Sequence, residues 1–166
     1  MNMNRKILFF GLVILVLYSC KQENPKTQIL ENRIADMEKK LDGTFKPGLG
    51  ELMSFIQLHH AKLWFAGSNS NWKLSDFELS EINEALEDIK SYNADRPEIK
   101  DIGIIEPALK NVSQAIKQRN SKQFEDSFME LTVSCNTCHV ATDHGYIVIK
   151  TPDSPPFSNQ DFGVEK

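Results

Sequence analysis

The sequence predicts an all-α protein: an antiparallel four-helix-bundle-like domain with an extra N-terminal helix and a non-helical C-terminal tail. Apolar residues recur at spacings of three and four in five successive segments, which is the pattern of amphipathic helices. No pair of segments alternates apolar and polar residues as neighbouring strands would. The chain has 166 residues, of which 40% are hydrophobic and 25% charged, and this composition is typical of one globular domain rather than a disordered chain.

Residues 1–19 are predicted to be a signal peptide. Arg5 and Lys6 precede an apolar run, Ile7 to Tyr18, that is too short to span a membrane. The ending Leu17-Tyr18-Ser19-Cys20 resembles the bacterial lipobox, which implies that Cys20 is lipidated and becomes the N-terminus. We therefore expect a protein held in the cell envelope by a lipid anchor, on the periplasmic side or at the cell surface. An uncleaved anchor, or a signal cleaved elsewhere, is the alternative.

The segment 20–46 is predicted to contain a polar tether and then a helix over residues 27–42. The helix has an apolar stripe and ends near Asp42-Gly43, where glycine favours a helix stop. The stripe is consistent with a stalk, a dimerisation arm or a helix packed on the bundle. Its residues are Ile29, Leu30, Ile34, Met37 and Leu41.

The bundle is predicted to occupy residues 47–144, and an extended tail follows over 145–166. Its second helix follows Pro47-Gly48 and stops at the loop 67–71, and the third starts near Ser75. The third ends at Asp95-Arg96-Pro97 because a residue before proline is disfavoured in helices. The fourth ends at Arg119-Asn120, and Ser121 caps the fifth. The apolar residues expected on the inner faces are Leu52, Ile56 and Leu63; Phe77, Ile82, Ala85, Leu86 and Ile89; Ile105, Leu109, Val112 and Ile116; and Phe124, Phe128 and Leu131.

The fifth helix runs into a motif that carries chemistry, Cys135-Asn136-Thr137-Cys138-His139. The spacing Cys-x-x-Cys-His is that of c-type haem attachment. On a helix the two cysteines and the histidine lie on one side, so two thioethers can hold the haem while the imidazole binds its iron. A zinc site with a fourth ligand such as His144, or a simple disulfide, is the alternative. The βαβ pattern of a thioredoxin-like protein is lacking.

A helical bundle with a single such motif late in the chain, on the last helix, resembles the cytochrome c prime group. The resemblance covers roughly residues 47–142, and only the pentapeptide is specific. It implies one covalent haem c on Cys135 and Cys138, with His139 as the proximal iron ligand. The 27 residues after His139, 140 to 166, depart from the group and could cover a haem edge or reach a partner.

The ligand on the other side of the iron is open from sequence. His60 is the leading candidate, because it lies in an apolar row between Ile56 and Trp64. His59, His144 and Met53 are weaker candidates, and an open site is the remaining alternative. The aromatic residues Trp64, Phe65 and Trp72 form either a wall of the haem pocket or the closed end of the bundle.

These patterns predict a membrane-tethered monohaem cytochrome that transfers electrons to a redox partner protein. The alternative is a five-coordinate haem protein that binds nitric oxide or carbon monoxide in an apolar pocket lined by residues such as Phe55, Ile56 and Phe77. The sequence has no set of catalytic residues, so we do not expect an enzyme, and the net charge of −4 argues against a nucleic-acid partner. The acidic run of the third helix is expected to be a solvated face that could steer a basic redox partner. It consists of Glu78, Glu81, Glu84, Glu87 and Asp88.

Overall fold

The computed structural model describes residues 24–42 and 46–163. The predicted signal peptide and Cys20 lie outside these residues. The chain divides into two compact units, Met1–Lys46 and Pro47–Lys166. Among the helices described, none combines the length and the apolar character that crossing a membrane requires.

The first unit contains helix α1, Pro25–Asp42. Pro25 occupies the first position of the helix, where its missing N–H is not needed. Lys39 and Lys40 lie in the last turn, where positive charge stabilises the helix dipole. The apolar stripe of α1 is exposed to solvent.

The second unit is the antiparallel helical bundle, and the predicted fold class is confirmed. Its helices are α2 (Leu49–Ser68), α3 (Trp72–Tyr92), α4 (Glu106–Gln118) and α5 (Ser121–Ala141), with a 3-10 helix over Pro97–Ile105. Helix α2 packs mainly on α3, and α4 packs mainly on α5, which also contacts α2 and the 3-10 helix. The tail after α5 contains neither helix nor strand as far as residue 163.

Two helix starts differ from the prediction, and capping explains both. Helix α3 begins at Trp72, because the side chain of Asn71 accepts a hydrogen bond from the backbone N–H of Leu74 at 3.2 Å. Helix α5 is capped by Asn120 rather than Ser121, since Asn120 accepts from the N–H of Gln123 at 3.1 Å.

One end of the bundle is filled by aromatic side chains. The ring of Phe124 lies 6.5 Å from that of Trp64 and 6.2 Å from that of Trp72, and Phe128 lies 5.0 Å from Trp64. A Cβ atom at Gly67 would overlap the ring of Phe124, so the lack of a side chain there lets the ring pack on α2. We call this region, formed by the second half of α2, the start of α3 and the first half of α5, the packed end.

The face predicted for α3 is wrong at one position. Phe77 was expected inside but is 53% exposed, while Glu78 is fully buried. The reason is that Glu78 pairs with His59 and Lys62 of α2, described below, and these contacts hold that face of α3 against α2. Glu78 therefore does not belong to the predicted solvated acidic face, in which Glu84 and Glu87 remain exposed.

Candidate cofactor site

A cavity of about 340 Å³ lies at the other end of the bundle. It is lined by α2 from Leu49 to His60, by Leu86 of α3, by the 3-10 helix, by the last turns of α5 and by the beginning of the tail. Cys135, Cys138 and His139, the three residues of the predicted attachment motif, all line it. The volume lies within the range of small-molecule and cofactor sites. The walls are mostly apolar and include Ile56, Leu86, Ile102, Ile105 and Ile149.

The imidazole of His139 is oriented by the tail. Its Nδ1 lies 2.8 Å from the carbonyl oxygen of Ile147. Because a carbonyl can only accept, Nδ1–H donates this bond, and Nε2 is the ring nitrogen left to bind a metal. Histidines that bind a metal usually have such a partner, which fixes the tautomer and the orientation of the ring. The donor arrangement at His139 therefore fits an iron ligand.

The tail is held in place by the motif itself. Asn136, the first variable residue of the motif, donates to the carbonyl of Ile149 at 2.8 Å and accepts from its N–H at 2.7 Å. The N–H of Ile147 donates to the carbonyl of His144 at 2.8 Å, and that of His144 donates to the carbonyl of His139 at 2.7 Å. The carbonyl that orients His139 is thus fixed on both sides.

The two thiols are free and lie in low-polarity surroundings. Burial raises the pKa of Cys135 to about 12, and the neighbouring Cys138 adds to the effect. Burial and the nearby Asp101 raise the pKa of Cys138, whose thiol donates to the Asp101 carbonyl at 3.7 Å. Catalytic Cys-x-x-Cys pairs have lowered thiol pKa values, so these cysteines have the opposite electrostatics.

His60 also lines the cavity and is 3% exposed. Burial lowers its pKa to about 4, so the imidazole is neutral at pH 7, as a metal ligand must be. Its Nε2 lies 2.9 Å from the hydroxyl of Thr132, which donates its own hydrogen to the carbonyl of Phe128 at 3.0 Å. The hydroxyl hydrogen is therefore in use, so Nε2–H donates to Thr132 and Nδ1 carries the lone pair.

His59 does not line the cavity, although it is equally buried. Its Nδ1–H donates to Oε2 of Glu78 at 2.6 Å, and Nζ of Lys62 forms an ion pair with Oε1 of Glu78 at 3.2 Å. Oε1 is buried and accepts no hydrogen bond. We call His59, Lys62 and Glu78 the charged cluster. His59 is therefore part of the contact between α2 and α3, and its Nδ1 is not free to bind a metal.

Of the other residues that the sequence suggested for the site, some line the cavity and others do not. Met53 and His144 line it, and Nδ1–H of His144 donates to the carbonyl of Thr142 at 2.6 Å. Phe55 and Phe77 do not line it, which corrects the pocket expected for a gas-binding site. The aromatic residues Trp64, Phe65 and Trp72 do not line it either, and Trp64 and Trp72 instead form the packed end.

A charged pair among the lining residues was not foreseen from the sequence. The guanidinium of Arg96 donates to both carboxylate oxygens of Glu98, at 2.7 and 3.2 Å. This pairing raises the pKa of Arg96 and lowers that of Glu98. Only the proline at 97 marked this region of the sequence, and it predicted a break rather than a site.

Across residues 24–42 and 46–163, no group of three or more histidine, cysteine or acidic side chains is arranged to hold a bare metal ion. Comparisons with protein-family models, curated proteins and solved structures found no match to this chain.

Proposed function

We propose that the bundle binds one haem covalently through Cys135 and Cys138, with His139 as the axial iron ligand, and that it is a membrane-tethered electron carrier. The observation that carries the proposal is that both thiols line one cavity together with a histidine whose Nδ1–H is already bonded to a carbonyl. The haem would supply the one-electron chemistry.

The surroundings of the cavity support this proposal. A haem has a large apolar face, which the aliphatic wall suits. His60 is neutral and lies on the helix that faces α5, so it is the leading candidate for the second axial ligand. Ligation through Nδ1 would leave the Nε2–H bond to Thr132 intact as the supporting contact.

One observation favours the alternative, a five-coordinate haem that binds nitric oxide or carbon monoxide. The bond from Nε2–H of His60 to Thr132 satisfies the histidine without any metal. Without a bond from His60, His139 alone would hold the iron, and the other residues that line the cavity are mostly apolar. His60 would then be a pocket residue near the bound gas.

The test is to export the protein from cells that mature c-type haem and to record ferrous absorption spectra before and after carbon monoxide. Sharp, split visible bands unaffected by the gas are expected for a six-coordinate carrier. His60→Ala should then make the spectrum sensitive to carbon monoxide. A broad visible band and a Soret band that shifts with the gas would establish the open site instead.

Covalent attachment is tested separately on denatured protein. Cys135→Ser combined with Cys138→Ser should abolish haem that survives denaturation, whereas Thr137→Ser, an exposed residue within the motif, should retain it. Absence of haem from the unsubstituted chain, despite active maturation, would contradict the proposal and leave the zinc and disulfide alternatives.

A further inference from the structure

The apolar stripe of α1 is on the surface of the described structure. Leu30, Ile34, Met37 and Leu41 are 47% to 77% exposed. Successive members are separated by four, three and four residues, so they follow a heptad repeat and form one narrow seam. A seam of this kind buries its apolar surface when a second helix lies along it.

The charged residues on the two sides of the seam have opposite signs. With Leu30 and Met37 at the d positions and Ile34 and Leu41 at the a positions, Lys26 and Arg33 fall at g. Glu31 and Glu38 fall at e. One edge of the seam is therefore basic and the other is acidic.

We propose that α1 pairs with α1 of a second copy of this chain, in parallel, as a two-stranded coiled coil. In a parallel pair, each g residue faces the e residue five positions later on the other helix. Lys26 would then face Glu31 of the second copy, and Arg33 would face Glu38. Each contact forms twice because the pair is symmetric.

The same charges disfavour the antiparallel arrangement. In that arrangement g residues face g residues and e residues face e residues, so Arg33 would meet another basic residue and Glu31 another acid. Ile34 at a and Leu30 at d are also the residue types that favour two strands at these positions.

The parallel arrangement places both N-termini at the same end of the pair. This is the geometry required of two chains that leave one membrane surface through lipid anchors at Cys20. The 18 residues of α1 provide only about two and a half heptads, so confinement to a surface would strengthen the association by raising the effective concentration. The pairing itself does not depend on haem.

Disulfide trapping tests the seam and its direction in the full chain. The three native cysteines are replaced by serine, and a single cysteine is introduced as Leu30→Cys at the seam or as Asn32→Cys on the opposite side. Mild oxidation is expected to trap the Leu30→Cys dimer at least about tenfold faster than the Asn32→Cys dimer. In an antiparallel pair residue 30 would face residue 41, about 16 Å along the axis, and would not form the bond.

Charge reversal tests the partner. Arg33→Glu sets like charges against each other at two places in the parallel dimer, so sedimentation should show dimerisation about tenfold weaker. Adding Glu38→Arg should restore it. Equal trapping at positions 30 and 32, or dimerisation unchanged or strengthened by Arg33→Glu, would overturn the proposal.

Discussion

Two adjacent histidines on α2 have opposite electrostatic surroundings. His59 belongs to the charged cluster with Glu78 and Lys62, whereas the hydrogen-bond partner of His60 is the hydroxyl of Thr132. Burial lowers the pKa of His60 to about 4, so this imidazole is neutral at pH 7. A one-residue step along a helix turns the side chain by about 100°, which is enough to direct one ring to α3 and the other to the cavity.

The lowered pKa of His60 predicts a pH dependence for the haem-free chain. Between pH 6.5 and about 4 the unfolded state binds a proton at residue 60 and the folded state does not, so stability falls as the pH falls. By pH 4 the loss from this residue should be about 3 kcal/mol relative to pH 7. Urea unfolding of the wild type and of His60→Gln, which cannot titrate, measures the difference, and parallel pH profiles would contradict it.

Removing one charge from the charged cluster should lower the free energy of unfolding. Glu78→Gln keeps the shape of the side chain but leaves Lys62 without its counter-charge, in a contact where Glu78 is fully buried. We expect the free energy of unfolding to fall by about 3 kcal/mol at pH 7. Glu84→Gln, on the exposed side of the same helix, should change it by less than about 0.5 kcal/mol. Equal effects of the two substitutions in urea unfolding would show that the cluster is not important for stability.

The charged cluster also shows where sequence reasoning fails at single residues. Hydrophobicity places Phe77 inside and Glu78 outside, and the structure has the reverse. A buried carboxylate is stable only because partners from another helix surround it, and a pattern within one helix contains no information about those partners. His60, Cys135, Cys138 and His139, which line one cavity, could be selected from the sequence because their chemistry lies in the side chains themselves.

At the level of elements, α5 and the tail act together. The helix carries the motif, while the tail supplies the carbonyl that orients His139 and is held by Asn136. The sequence predicted a non-helical tail after Gly145 but not its contact with His139. Every residue has a backbone carbonyl, so the sequence does not indicate which one accepts a bond from a given side chain. Helix existence was predictable from apolar periodicity, whereas the starts of α3 and α5 depended on asparagine caps that lie outside the apolar pattern.

Asn136→Ala should release the tail and loosen His139. Two hydrogen bonds to Ile149 are lost, so protease cleavage after residue 142 should become at least several times faster in the haem-free chain. In the haem-loaded chain the reduction potential should shift, because the donor Nδ1–H no longer has a fixed acceptor. Thr137→Ala removes only a bond within the helix and serves as the control. Unchanged cleavage and potential in Asn136→Ala would refute the role of the tail.

Two glycines of α2 should respond in opposite ways to alanine. Gly67→Ala places a methyl group where the ring of Phe124 lies and should destabilise the fold by about 2 kcal/mol or more. A Cβ at Gly50 meets nothing within 4 Å, so Gly50→Ala should stabilise the helix by about 0.5 to 1 kcal/mol. Thermal unfolding of both variants measures the contrast. Stabilisation by both would mean that the packed end can rearrange at no cost.

On the scale of the whole molecule, the bundle is closely packed at one end and contains the cavity at the other. The cavity is lined by α2, α3, the 3-10 helix, α5 and the tail, so a ligand there would connect five parts of the chain. Haem loading should raise the unfolding temperature and should slow hydrogen exchange in the 3-10 helix and the tail more than at the packed end. Hydrogen exchange on both forms checks this, and uniform protection across the bundle would contradict it.

The position of the two tryptophans has a practical consequence. Trp64 and Trp72, the only tryptophans of the chain, both lie at the packed end, whereas the thiols of Cys135 and Cys138 lie in the cavity. With Cys20 lipidated or replaced by serine, tryptophan fluorescence and thiol labelling therefore report on opposite ends of one domain. Coincident transitions would establish that the haem-free bundle unfolds as a single unit, and separate transitions would show which half opens first.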